Sequence, residues 1–416
     1  MSFAEPRSSR SSLSYLSFAR RAGATGLLAF CTLAACNTYT FAQATSASEP
    51  AKKQVPDSKA SGSAPDDPGP LASDISAELK PKAIQAVVEK VATWQLKEAE
   101  PTFNRLWTYA ALYDGLLAAS KTTGDPKFHD AVLKYSEQEH WQLLDNRFPH
   151  ADDEAMGKAY MALYLEDPKG SRKSERMANT KEIMDRLVVR PDDPAKLLWW
   201  WCDALYMAPP VLARTYVATG DKKYLDYMDH EWWQTSKLLY NQQDHLYFRD
   251  ERYLTQKQAN GKNLYWSRGN GWVMGGLVKV LEVMPKNYPA RAKYVEQFRQ
   301  MAEEVTAIQG KDGLWRSGLL DPDAYELPEV SGSAFFTYAI AYGINEHILD
   351  RKTYLPVVEK SWKGMLQHVY ADGRLGSIQP VDAQPGKFKP SASHVYGVGG
   401  FLMAGYEMNR LAGGKR

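Results

Sequence analysis

The chain has 416 residues, with 51 basic and 49 acidic side chains and a net charge of +2. That balance gives no electrostatic case for nucleic acid, and no basic stripe interleaves with aromatics in the folded part. Apolar residues make up 44% of the chain, enough for a large core. Aromatics make up 12%, including 12 Trp and 24 Tyr, and their flat faces suit a sugar cleft as well as a helical core.

Residues 1–36 read as an export leader. Arg7, Arg10, Arg20 and Arg21 precede an apolar run over 22–35 that is too short to span a bilayer. Leu33-Ala34-Ala35-Cys36 reads as a lipobox, with Cys36 as a lipid anchor; cleavage after Ala44 is the competing site. Both place the protein in a bacterial cell envelope, periplasmic or tethered to the membrane. Processing would leave Cys202 and at most Cys36, which excludes an intramolecular disulfide. Residues 37–73 are poor in large apolar side chains and read as a flexible linker, so the folded domain is expected over 74–416.

Within that domain an apolar phrase rich in small and aromatic residues recurs six times: Trp107–Ser120, Asp153–Tyr164, Trp201–Tyr216, Gly269–Leu281, Ser331–Ile344 and His394–Met408. Amphipathic segments of helical period separate the copies. The first, with Ile84, Val87, Val88 and Val91 on one face, precedes the first phrase. Helices apolar all round alternate with half-apolar ones, and the order opens on an outer helix and closes on an inner one. This predicts an all-α (α/α)6 barrel. The turns repeat as well. Thr123-Gly-Asp and Thr219-Gly-Asp each end an inner helix with Gly and offer Asp to cap the next; Asp350 is expected to do the same without its Gly.

The starts of the inner helices carry the chemistry. Asp203 follows Trp199, Trp200 and Trp201, where burial would favour a protonated carboxyl suited to general-acid work. Asp152 and Asp153 open the preceding inner helix, and one is expected to face the cavity while the other caps. Arg268 stands between Trp266 and Trp272, a pattern that fits a carboxylate-bearing sugar or an Arg that locks its own loop. Trp107, Tyr109 and His394 open the first and last inner helices and are further candidate sugar contacts. There is no HExxH, P-loop, dinucleotide fingerprint or GxSxG elbow, so no metal or organic cofactor is implied.

With Trp201-Cys-Asp-Ala-Leu-Tyr-Met, Trp266-Ser-Arg-Gly-Asn-Gly-Trp, Asp312-Gly-Leu-Trp, Glu329-Val-Ser-Gly-Ser and Tyr396-Gly-Val-Gly-Gly in this order, the chain resembles glycoside hydrolase family 105. These are unsaturated rhamnogalacturonyl hydrolases, related to the family 88 unsaturated glucuronyl hydrolases. The resemblance implies an (α/α)6 barrel that removes a 4,5-unsaturated uronic acid from the non-reducing end of lyase-generated oligosaccharides, rhamnogalacturonan or pectin fragments by default. An Asp would protonate C4 and water would add at C5. It implies Asp203 as that acid, Asp152 or Asp153 as the second carboxylate, and Trp266, Arg268 and Trp272 as substrate contacts. Arg249 stands where the family often has a His, which bears on substrate subclass. The expected partner is an oligosaccharide. The alternatives are a non-catalytic sugar-binding surface lipoprotein and an (α/α)6 polysaccharide lyase.

Overall fold

A computed structural model describes residues 61–166, 173–193 and 195–414. The leader, Cys36 and the competing cleavage site after Ala44 lie outside the described residues. The rest is an (α/α)6 barrel. Its outer layer is α1 (Pro81–Ala99), α3 (Lys127–Gln138), α6 (Glu175–Val188), α9 (Lys223–Leu239), α11 (Arg291–Ala307) and α13 (Arg351–Leu366). Its inner layer is α2 (Trp107–Thr123), α4 (Ala151–Glu154) with α5 (Gly157–Leu165), α7 (Ala204–Met207) with α8 (Pro209–Thr219), α10 (Ser267–Leu281), α12 (Val330–Asn345) and α14 (Val395–Leu411). Inner neighbours pack in chain order, and α14 packs back on α2 to close the ring, with α1 laid against both.

The two layers follow from two hydrophobic patterns. α1 buries Ile84, Val87, Val88, Val91, Ala92 and Gln95, a single stripe at helical spacing. Every residue of α10 is buried, so that helix has no solvent face to mark with charge. The inner helices also approach closely. A Cβ added at Gly115 in α2 would lie 2.6 Å from the Cα of Gly399 in α14, and one at Gly399 would overlap the Ala111 carbonyl. Glycine is required at this crossing because backbone meets backbone.

The turns behave as their sequences predict. Gly124 and Gly220 end α2 and α8 with φ of 76° and 74°. Asp125 and Asp221 then accept the backbone N–H of Lys127 and Lys223 at 2.9 and 3.0 Å. Asp350 caps α13 by accepting from Thr353 at 2.8 Å. Among the described residues no helix is long and apolar enough to cross a membrane.

One expectation is corrected. Residues 61–72, expected to belong to the linker, are strapped to the barrel. Strand β1 (Gly62–Ser63) pairs antiparallel with Ser393–His394, in register Gly62 to His394. Further along, Ser391 donates to the Pro65 carbonyl at 2.6 Å, and the Ala72 N–H to the Val369 carbonyl at 2.8 Å. The strap is held by backbone hydrogen bonds, so its side chains carry no apolar signature.

Substituting Gly399 by Ala should destabilise the protein by about 1–3 kcal/mol, the usual cost of overpacking a rigid core. Denaturant unfolding of the variant beside the parent checks this, and an unchanged midpoint would contradict the close crossing of α2 and α14.

Candidate active site

The N-terminal ends of the inner helices converge. Trp107 at the start of α2 meets Trp272 of α10 edge-on at 5.9 Å and stacks on Tyr396 of α14 at 5.5 Å. The His150 ring before α4 lies 4.9 Å from that of Trp201 before α7. These contacts gather five inner-helix starts in two groups, α2 with α10 and α14, and α4 with α7, and α2 packs on α4 between them.

Asp152 and Asp203 are the carboxylates that share this end. Asp203 is buried, with 12% of its side chain reached by solvent, and sits at the N-cap of α7. The Cys202 thiol donates to its Oδ2 at 3.4 Å, and the Arg249 Nε lies 3.5 Å from the same oxygen. Cys202 is fully buried, as expected of a small core residue. Arg249 is held in place by the strand that follows α9. β2 (Tyr240–Asn241) pairs with β3 (Leu246–Tyr247), and the chain beyond β3 bridges to Trp201, so that the Arg249 carbonyl accepts the Cys202 N–H at 2.8 Å. The Arg249 guanidinium donates to Asp250 at 2.7 Å and lies over the Trp200 ring at 5.5 Å.

Asp152 has 17% of its side chain exposed. Burial pushes its pKa up to about 7; Arg147 opposes that rise, and the charges of Asp203 and Asp153 add to it. Asp152 therefore holds its proton close to neutrality, as does the buried Glu154 on the same helix start, pushed up to about 8 by burial and by the charges of Asp153 and Asp152. Asp153 points the other way: its carboxylate accepts the Arg147 backbone N–H at 3.1 Å and the guanidinium through Nε at 2.9 Å and through Nη2. The adjacent pair divides, but Asp153 is held by Arg147 rather than capping the helix, whose N-cap is His150. His150 is kept neutral, its pKa pushed down to about 4 by burial and then by Arg147. Its Nδ1 accepts the Asp152 N–H at 3.3 Å.

The remaining candidates divide by helix face. Trp107 is half-buried, and Trp272, which it meets edge-on, is fully buried. Trp266 is buried and donates its Nε1–H to Gln379 at 2.9 Å. Arg268 takes the loop-locking one of its two expected roles rather than the carboxylate contact. It has no exposed surface, donates to the carbonyls of Gln379 and Pro380 at 2.6 and 2.8 Å, and lies between Trp266 and Tyr396 at 4.3 and 4.9 Å. It locks the loop over 379–380. Tyr109 is a correction: it packs against Phe103 and bonds Thr102 at 2.7 Å, on the side of α2 that meets α3 and away from the carboxylates. His394 is 5% exposed, stacks on Tyr396 at 5.6 Å, and is kept neutral at a pKa of about 4 by burial and Arg268.

Three residues of the site were not singled out in the sequence. Trp200 is 40% exposed beside Arg249, an open aromatic face at the rim. Arg147 and His150 flank Asp152. For metal binding, one group among the described residues brings three ligand atoms within 4.8 Å of one another. It is Asp192, His230 and Glu231, on α9 and the loop after α6, and it includes neither carboxylate of the pair.

The glycosyl hydrolase family 88 model matches residues 80–412, nearly the whole barrel. The chain belongs to this family. This glycosidase is 37% identical over 352 residues to an unsaturated 3S-rhamnoglycuronyl hydrolase of Formosa agariphila, covering 80% of this chain and 92% of the relative. Among solved structures it is similar to the polysaccharide lyase BACCELL_00875, at 30% identity and a TM-score of 0.75 over 81% of this chain and 99% of that one. It is also similar to a family 88 glycosyl hydrolase from Bacteroides vulgatus, at 29% identity and a TM-score of 0.73 over 80% and 99%.

The raised pKa of Asp152 sets a sign for stability. The folded protein holds a proton there that the unfolded chain, with an ordinary aspartate value of 3.8, releases. Its contribution is full below about pH 4 and is lost as pH rises through 7. Asp152→Asn should therefore gain thermal stability relative to the parent at pH 8, and the gain should vanish toward pH 4. Melting curves across that range check it; a pH-independent difference would contradict the assignment.

Proposed function

We propose that this family 88 glycosidase removes a 4,5-unsaturated uronic acid from the non-reducing end of an oligosaccharide, where the uronide is joined to a rhamnose. The observation that carries the reading is the Asp152–Asp203 pair, which keeps a proton near neutral pH beside the guanidinium of Arg249. Protonation at C4 of the vinyl ether needs an acid that is still protonated at working pH. In this reading Asp203 is the group placed at C4, and the proton that passes through it to C4 is the one held at Asp152. Water then adds at C5 and returns its proton to the pair. The hemiketal so formed opens and releases the rest of the oligosaccharide. No attack at the anomeric carbon is involved, so the carboxylate separations of common glycosidases do not apply.

The surroundings support an anionic sugar. Arg249 and the partly exposed Arg147 flank the two carboxylates, and they suit a uronate better than a neutral ring. Trp107 and Trp200 offer aromatic faces at the recess. The name of the Formosa agariphila relative supports a 3-sulfated rhamnose next to the uronide as the first substrate to test, with rhamnogalacturonan fragments second. The leader and Cys36 support export to the cell envelope with a lipid anchor.

A second reading has one specific observation behind it, the likeness to a structure named a polysaccharide lyase. A lyase creates the ultraviolet-absorbing double bond and a hydrolase of this type consumes it. With a panel of unsaturated disaccharides, absorbance should fall for the parent and stay level for Asp203→Asn, a loss of at least about 10³-fold for removing the acting acid. A rise on intact polysaccharide would favour the lyase, and a fully active Asp203→Asn would overturn the assignment of the acid.

A further inference from the structure

We propose that Arg147 is a positioning residue for the carboxylate pair: anchored on Asp153, it turns Asp152 toward Asp203 and presents its remaining guanidinium edge to Asp152. This deepens the function proposed above and rests on it.

Consecutive residues on a helix point about 100° apart, so a helix start carrying Asp152 and Asp153 has no intrinsic reason to commit one of them to the recess. Arg147 supplies the reason. Its backbone N–H and the Nε and Nη2 edge of its guanidinium all donate to Asp153, whose side chain is 2% exposed. That engages one carboxylate completely and fixes the guanidinium plane. The opposite edge ends in Nη1, which lies 3.9 Å from the Asp152 Oδ2. A guanidinium can serve two carboxylates from two edges; an ammonium is one point charge and cannot. Arg147 is nevertheless 43% exposed, so burial does not explain its place.

The groups that act on Asp152 come from four directions. Asp203 faces it from the start of α7, Arg249 from the strand beyond β3, and Asp153, His150 and the buried Glu154 from its own turn; Lys158, fully buried in α5, also feels its charge. Arg147 leads Arg249 among the groups that favour the Asp152 carboxylate, and it also helps to keep His150 neutral. Removing it withdraws a cation from a carboxyl already held protonated. The protonated form then persists to higher pH, and the alkaline limb of the rate profile moves up.

The test is the pH profile of kcat for Arg147→Gln and Arg147→Lys on the unsaturated disaccharide that the parent turns over. For Arg147→Gln, kcat should fall about 10- to 100-fold, the scale of a misplaced catalytic group, with a smaller change in KM. Its alkaline limb should rise by about 1 pH unit, the low end of what a neighbouring opposite charge does. Arg147→Lys should keep the limb near the parent position while kcat still falls. A limb that stays in place in Arg147→Gln overturns the inference, even if kcat drops, because a purely structural role would lower the rate at every pH alike. Arg147→Met carries the same test should Arg147→Gln fail to fold. A second readout separates this inference from the function itself: a carboxyl-carbon NMR titration of ¹³C-Asp-labelled protein, with the Asp152 resonance assigned by its loss in Asp152→Asn. A parent inactive on every unsaturated disaccharide would sink the proposed function. The titration would then decide alone, an upward move of the Asp152 midpoint in the variant supporting the role of Arg147 and no move overturning it.

Discussion

Two poorly solvated carboxylates that feel each other's charge resist being ionised together, and the active end of this barrel is arranged around that constraint. Asp203 meets a cation, Arg249, while Asp152 keeps its proton to about pH 7. Each partner is set by a different piece of the fold. Arg249 arrives on a strand clipped to the backbone of the helix start that carries Asp203. Arg147 arrives on the loop before α4 and is fixed by Asp153. The inner ring brings the two helix starts together, and its glycine crossings let it close without a wide lumen.

The same economy of buried charge appears deeper along the barrel. Asp114 of α2 is surrounded by Lys158, Arg214 and Lys279 from three other inner helices at 3.5–3.9 Å, and accepts the Tyr206 hydroxyl at 2.9 Å. The three cations hold its carboxyl below the usual range, against burial that raises it. Burial in turn brings Lys158 down to about 7. Such a cluster is weak evidence for stability, since desolvation offsets much of the attraction. What it does supply is register between helices whose apolar faces would accept several rotations. Tyr206 carries that register toward the recess, because its ring packs on Trp272 at 4.7 Å, beneath Trp107.

The ring was legible because an inner helix must be apolar all round and an outer one on one face only, so the alternation is written in hydropathy. Asp203 was legible because an acid inside a Trp run is chemically out of place. Tyr109 was misread by counting proximity along the chain: two residues beyond Trp107, a helix has turned through about 200° and faces the outer layer. For Arg268 both roles stayed open, because sequence shows which side chain can bind a carboxylate but not that the carbonyls of Gln379 and Pro380, over a hundred residues away, engage it. The strap over 61–72 and the role of Arg147 left little trace. The strap is held through its backbone, and Arg147 stands in a polar loop where its spacing from Asp153 has no periodic meaning.

The central claim is that an unsaturated uronide binds with its double bond at the Asp152–Asp203 pair. A crystal structure of Asp203→Asn with an unsaturated disaccharide tests it directly. C4 of the unsaturated ring should lie within hydrogen-bonding reach of residue 203, with the ring carboxylate toward Arg249 and the second sugar directed out past Trp200. A disaccharide bound with its reducing sugar at the pair, or away from this end of the barrel, would contradict it.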